Sequence, residues 1–339
     1  MKAYTGMAHA YHRWARYNGI FSAKHGGSIP VPTPLDLTFY VEHRHNKGDV
    51  VQTLKSRLSA ISWHCKQHRQ GDPCKNPDGS TIQIIKDIIR GISRDQKGAA
   101  TRTRKPITVP LAGIIIDNLA AADPGLCAYD QDAYAALILA GIYILLRASE
   151  QCTKLVREYD PRIHLLGRDV TFTYDSDGKA TEGHLLIKAA KEDLFRDTQI
   201  LTMHATGGRN CPVRRLHAWA TRRTAGPNQP FYTLKDGSYI TQDRLTKRLR
   251  KTLNYTGRVG KDWATHSLRS GGAISLAASS SMSSEVLALV GRWKSDSKLL
   301  HLKHLPSSVL RRAHKQMGRL TTKDITEDNI RTYDNRFEE

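Results

Sequence analysis

The chain has 339 residues and carries 52 lysines and arginines against 32 acids, a formal net charge of +20. That length suffices for two domains with real cores, and a cationic excess of this size attracts polyanions by counterion release, so nucleic acid is the first partner to expect. The longest apolar runs fall short of the ~20 residues a membrane span needs, and the N-terminal MKAYTGMAHAYHRW is too polar for a signal peptide. Cys65, Cys74, Cys127, Cys152 and Cys211 are too scattered for a disulfide framework, and the fifteen histidines show no HExxH-like ligand spacing, so neither metal nor other cofactor is expected.

Residues 1–95 read as helices separated by punctuated loops. In HAYHRWARYNGIF, Tyr11, Trp14, Tyr17 and Phe21 recur at intervals of three and four and predict one buried helical face. The proline-rich SIPVPTPLD ends that helix, and Thr33 or Asp36 is placed to open the next. LDLTFYVEHRH and VVQTLKSRLSAISWHCKQHR repeat the pattern, the latter with Leu54, Leu58, Ile61 and Cys65 inward and Lys55, Arg57, Lys66 and Arg69 toward water. STIQIIKDIIRGISRD makes a fourth helix, with Ser80 or Thr81 as its cap and Gly91 near its end.

Residues 96–106 follow, basic and poor in apolar side chains, and mark the domain boundary. Residues 1–105 hold 18 basic and 7 acidic side chains, a net of +11, against 34 and 25, a net of +9, for the remainder. The smaller domain is the more densely charged.

After the linker, PLAGIIIDNLAAA and DQDAYAALILAGIYILLRASEQC predict two helices, the second apolar on almost every side until Arg147 and therefore the buried centre of the larger domain. Polarity then alternates through RDVTFTYD, GHLLIKAA and DTQILTMHA, three short strands with a turn at DSDGKATEG. From CPVRRLHAWATRR the pattern is helical again, apart from two loops. The larger domain spans 107–320, and 321–339 forms a polar tail. The expected fold class is α+β, mainly α with a small antiparallel sheet.

Five side chains carry potential chemistry. Arg147 closes an apolar helix, where a guanidinium needs an anionic or acidic partner; Glu150, one turn on, makes a local salt bridge the simplest one. Lys191, in KEDLFRD, occupies the turn between two strands, ordinarily a solvated position but one from which a mobile cation can reach a cleft. His266 and Arg269 in HSLRSGGA share a helical face at a helix start, where free amides favour an anion, and the small residues that follow leave room for a phosphate. Trp293 in GRWKSD offers an indole N–H while its ring packs.

Taken together and in this order, Arg147 with its glutamate, Lys191 in a hairpin, His266 and Arg269 in HxLR and Trp293 in GRW resemble the tyrosine recombinases, the DNA strand-exchange and integrase family. LLRASE, KEDLFRD, HSLRSGGA and GRWKSD look closest to the recombinases of eukaryotic mobile elements of the Crypton and DIRS type. The resemblance covers nearly the whole chain. It implies a helical core-binding domain and a catalytic domain forming a C-shaped clamp on double-stranded DNA, in a nuclear or otherwise intracellular protein of transposable-element type. It also implies integration or recombination through one scissile phosphate ringed by the two arginines, His266, Trp293 and Lys191, with Lys191 protonating the leaving 5′ oxygen. A homo-oligomer is implied as well, a dimer on DNA and a tetramer in the synapse, held by exchange of a helix within residues 305–320, although the amphipathic pattern of that helix fits internal packing equally well.

The family's nucleophile is a tyrosine eight or nine residues beyond the Trp293 position, where this chain has His301 or Leu302; no tyrosine lies between Tyr255 and Tyr333. Three explanations follow: an inactive chain, attack by the His301 imidazole to give a phosphoramidate, or delivery of Tyr333 from the tail. The alternative to an enzyme is a domesticated, non-catalytic recombinase-derived DNA-binding or architectural protein. For DNA contact the sequence offers Lys55, Arg57, Lys66 and Arg69 on one helix, the linker run Arg102, Arg104 and Lys105, and further Lys2, Arg13 and Arg16.

Overall fold

A computed structural model describes residues 2–20, 31–96, 104–188, 198–279, 290–292 and 307–325. The chain separates into two compact units, Met1–Thr101 and Arg102–Glu339. Among the described residues no helix is long and apolar enough to cross a membrane.

The first unit holds four helices: α1 (Lys2–Tyr17), α2 (Pro34–Asn46), α3 (Val51–Gln67) and α4 (Gln83–Asp95). Thr33 caps α2, its hydroxyl accepting from the Asp36 amide while the Asp36 carboxylate accepts from the Thr33 amide at 2.8 Å. This reciprocal pair satisfies two amides that a helix start leaves open. The α3 stripe of Leu54, Leu58, Ile61 and Cys65 is buried as its spacing requires, against Tyr11, Leu37, Tyr40, Val41, Ile85 and Ile92 from the other helices.

Two expectations for this unit fail for geometric reasons. Tyr17 is 91% exposed. It stands six residues from Tyr11, a rotation of about 240° at 3.6 residues per turn, so the inward face runs through Ala8, Tyr11 and Ala15 instead; Phe21 lies outside the described residues. The start of α4 has no side-chain cap, its N-cap being Ile82. Ser80 and Thr81 are held in the preceding loop, where Ser80 bonds to Asn76 and Asp78 and Thr81 bridges to Lys75. Gly91 falls within α4, four residues before its last residue.

The second unit comprises α5 (Val109–Asp117), α6 (Leu119–Ala122), α7 (Ala128–Tyr143), α8 (Ala148–Gln151), β1 (Val170–Tyr174), β2 (Ala180–Ile187), β3 (Gln199–His204), α9 (Pro212–Arg222), α10 (Gln242–Tyr255), α11 (His266–Ser279) and α12 (Ser307–Met317). The strands form an antiparallel sheet in the order β1-β2-β3. Along β2 burial alternates, with Gly183, Leu185 and Ile187 inward, the period-2 pattern of a half-covered strand. PLAGIIIDNLAAA is two helices rather than one, because Asn118 interrupts it and turns its side-chain amide back to the Ile114 carbonyl at 2.8 Å.

The centre of this unit is α7, in which every residue from Ala133 to Tyr143 is buried, and α9, α11 and α5 pack around it. Trp219 of α9 is fully buried against Tyr129 at 4.8 Å between ring centroids, and its indole N–H donates to the Phe231 carbonyl at 3.1 Å. Beyond the area it buries, such an aromatic pair contributes about 1 kcal/mol. Helix α11 can approach only because Gly271 and Gly272 lack side chains: a Cβ on the first would meet the Ile107 backbone, and one on the second the Ile142 carbonyl. The glycines of SGGA therefore serve helix packing, not access for a phosphate.

Candidate active site

Three of the residues singled out in the sequence meet within the second unit. The C-terminal end of α7 sets up the meeting: Ile144 follows the helix and Leu145 enters the left-handed region at φ +49°. The chain turns there, so Arg147 does not close α7 but stands as the N-cap residue of the short α8. Its amide donates to Glu150 Oε2 at 2.8 Å and its guanidinium lies 3.6 Å from Glu150 Oε1. The Glu150 side chain is only 1% exposed.

Arg269, on the first turn of α11, is 3% exposed. Its Nη1 donates to the Leu145 carbonyl and its Nη2 to the Gly291 carbonyl. A buried guanidinium is tolerated where carbonyls satisfy its rigid fork of donors, and here one of the two acceptors, Leu145, belongs to the turn that leads to Arg147. The two arginines thus share one neighbourhood.

His266 opens α11. Burial holds its pKa below the ordinary histidine range, and the nearby Arg269 and Arg147 guanidiniums push it further in the same direction. Both shifts favour the neutral imidazole. Ser267 is occupied structurally: its hydroxyl accepts from the Ala264 amide at 3.1 Å and its carbonyl accepts from the Ile107 amide at 2.7 Å.

Arg292 is a participant that sequence reasoning missed. Its Nη1 and Nη2 grip Glu150 Oε1 and Oε2 at 3.1 and 2.9 Å, and Nη2 also reaches the Leu145 carbonyl at 3.3 Å. Paired parallel bonds of this kind fix orientation as well as distance. Arg292 itself has φ +55°, a left-handed value that costs a non-glycine residue energy unless its surroundings hold it. Arg292 is thereby tied to α8 through one carboxylate shared with Arg147. The signal was present, since Arg292 lies inside GRW, but nothing in one sequence links it to Glu150, 142 positions earlier.

Lys191, Trp293, His301 and Tyr333 lie outside the described residues, as does Arg102. Lys188, at the end of β2, is engaged elsewhere, with Asp169 at 2.5 Å and the Pro161 carbonyl at 2.8 Å. Arg104 and Lys105 are exposed but anchored to the second unit. Arg104 donates to the Lys261 carbonyl at 3.1 Å, and the Lys105 ammonium sits 5.5 Å above the centre of the Trp263 ring.

The four candidates of the first unit do not form one basic face. Lys55 and Lys66 are exposed on the same side of α3, eleven residues or about three turns apart. Arg57 points away and is bound to Asp49 at 2.6 Å, alongside Arg44 at 2.8 Å, which holds the Asp49 carboxyl below its usual range. Arg69 falls beyond the helix end at φ +57°. A period of 3.6 separates these residues, and their spacing in the sequence already contained that separation.

No family model matches the sequence, and no curated protein is significantly similar to it. Among solved structures, the XerH site-specific recombinase bound to palindromic difH substrate in a post-cleavage complex matches with a TM-score of 0.51 and 14% identity, over 86% of this chain and 74% of that one. The Tn1549 transposon integrase in complex with transposon right end DNA gives 0.48 and 16%, over 93% and 99%, and the integrase from mycobacterium phage Brujita gives 0.38 and 14%, over 97% of each. At this identity a likeness speaks for the fold alone, and the XerH match carries it, together with the order of helices and sheet described above: the chain has a tyrosine-recombinase-like fold.

Proposed function

We propose that the chain is a site-specific duplex-DNA-binding protein of the tyrosine recombinase type, which clamps one backbone phosphate between Arg147 and Arg269. The observation that carries this reading is the convergence of those arginines, 122 positions apart in the chain, on the Leu145 turn beside His266. Phosphoryl transfer gathers negative charge on the non-bridging oxygens, and cations already held in place stabilise it most where water is excluded. Glu150 and Arg292 act as positioning residues for Arg147.

A neutral His266 offers one N–H donor to the phosphate. Burial lowers the imidazole's proton affinity most and the two guanidiniums lower it further; the arriving negative charge offsets the guanidiniums, so binding raises that affinity and prepares the imidazole to assist proton movement. In the full site Lys191 protonates the leaving 5′ oxygen and Trp293 donates through its indole N–H. The nucleophile position, eight residues past Trp293, holds His301. Our reading is that the phosphate is bound and polarised there but the strand is not cut. The second reading, cleavage by the His301 imidazole, is supported by the sequence keeping Arg147, Lys191, His266, Arg269 and Trp293 at the other positions of the pattern. On DNA the chain works as an oligomer.

A nicked suicide duplex separates these readings. The expected result is tight, salt-sensitive binding without a covalent protein–DNA adduct, and cleavage once His301→Tyr supplies the hydroxyl. An adduct with the unaltered chain transfers the conclusion to His301. Failure of His301→Tyr to cleave, with binding intact, rejects the assignment of the site.

A further inference from the structure

The first unit contains a cavity of about 740 Å³ between α3, α4 and the 72–81 loop, within the ~300–1,000 Å³ of small-ligand sites. Its floor is apolar: Leu58 and Ile85 are buried, and Trp63 and Ile89 are half-buried. Tyr4 stands edge-on to Trp63 at 6.1 Å and 86°, adding a second aromatic wall. The rim is cationic, formed by Lys55, Lys66, Lys75, Lys86 and Arg90.

Asp72 is the one carboxylate among the lining residues, and Lys66 takes it at 2.9 Å. Arg90 sits 3.8 Å from the exposed Asp87. Among the described residues no carboxylate lies within 4.0 Å of Lys55, Lys75 or Lys86. The loop wall is preformed: the Cys74 amide donates to Asp72 Oδ1 at 3.0 Å, the Ile82 amide donates to the Cys74 carbonyl at 3.1 Å, and Lys75 bonds the Thr81 hydroxyl at 3.0 Å.

A flat apolar body carrying negative charge complements this arrangement. We propose that the cavity receives one unstacked nucleotide of bound DNA, with its base against Trp63 and Tyr4 and its flanking phosphates met by Lys55 and Lys86. Base–aromatic stacking is indifferent to sequence because every base has a π face, while the lysines hold the backbone to either side. The proposal rests on the reading of the chain as a duplex-DNA binder and assigns to α3 a second task, capture of a base that has left the stack. Unstacking costs least where a base is unpaired, so the site selects bulged or mismatched duplex.

The test uses the full chain and two fluorescent duplexes identical except for one unpaired 5-iododeoxyuridine, with affinity read by anisotropy at fixed salt. The expected result is binding of the bulged duplex about tenfold tighter than the paired one, with photo-cross-links from the bulged base to Trp63 or Tyr4. Trp63→Ala should erase the preference while leaving paired-duplex affinity in place. Tyr4→Ala, at an exposed position, should weaken it without risk to the core, and Lys86→Gln should lower bulged-duplex affinity more than paired. Equal affinity for the two duplexes, or cross-links confined to the second unit, overturns the pocket alone. Absence of salt-sensitive binding to either duplex overturns the reading on which it rests.

Discussion

Acid should loosen the second unit through one buried histidine. His314 of α12 is fully buried. Its Nδ1 accepts from the His204 amide at 3.2 Å, so Nε2 carries the proton and donates to the Tyr143 carbonyl at 2.9 Å. Both nitrogens are satisfied only in that neutral tautomer, since a proton on Nδ1 would face an N–H. Burial, and after it the neighbouring His204, pushes the pKa down to about 3. The other charged groups near the contact are Glu182, against His204 Nδ1 at 3.1 Å, and Arg311, against Glu182 at 2.7 Å.

Because the folded-state value lies below the ordinary 6.5, the unfolded chain binds the extra proton. The contribution to stability is complete above pH ~6.5 and is lost as pH falls, by about 1.4 kcal/mol per unit down to pH ~3. From pH 7.5 to 5.0 the loss amounts to about 2 kcal/mol. In His314→Gln, the amide oxygen and nitrogen can replace acceptor and donor without titrating. Peptide-resolved hydrogen exchange over α7 and α12, corrected for intrinsic rates, should show the wild type losing protection by about 2 kcal/mol more than the variant over that range. Parallel pH profiles in the two proteins would refute the assigned tautomer and its role.

Gly272→Ala forces a Cβ into the Ile142 carbonyl, and since backbone cannot yield cheaply the loss should reach about 3 kcal/mol or more, read as a lower thermal midpoint for the second unit. Glu150→Ala leaves the largely buried Arg147 and Arg292 without their shared carboxylate and should cost about 3 kcal/mol; a variant as stable as wild type would show the pairing to be ornamental. DNA binding should take up a proton at His266, seen by calorimetry in buffers of different ionisation enthalpy, and His266→Asn should abolish the difference. Arg57→Gln should lower the stability of the first unit by about 1 kcal/mol through loss of its bond to Asp49, with duplex affinity unchanged; Lys55→Gln should do the reverse.

The sequence by itself determined most of the elements and their order. Periodicities of 3.6 and 2 follow from local geometry, so the α3 stripe, the apolar stretch of α7 from Ala133 to Tyr143 and the three strands were legible, and Thr33 was one of the two residues the sequence offered to start α2. HxLR likewise fixed His266 and Arg269 to one helical face. Only the tertiary structure decided what depends on distant chain segments. Leu145 adopts a left-handed conformation that its identity does not announce, and that turn, not the end of α7, presents Arg147. Gly271 and Gly272 could have been space for a ligand or space for a helix, and only the positions of Ile107 and Ile142 choose. Arg292 reaches Glu150 across 142 positions because two segments pack side by side, a contact that no local pattern encodes. Ion pairs such as Arg57–Asp49 withdraw a cation from solvent for the same reason: the charge belongs to the residue, but its availability belongs to the fold.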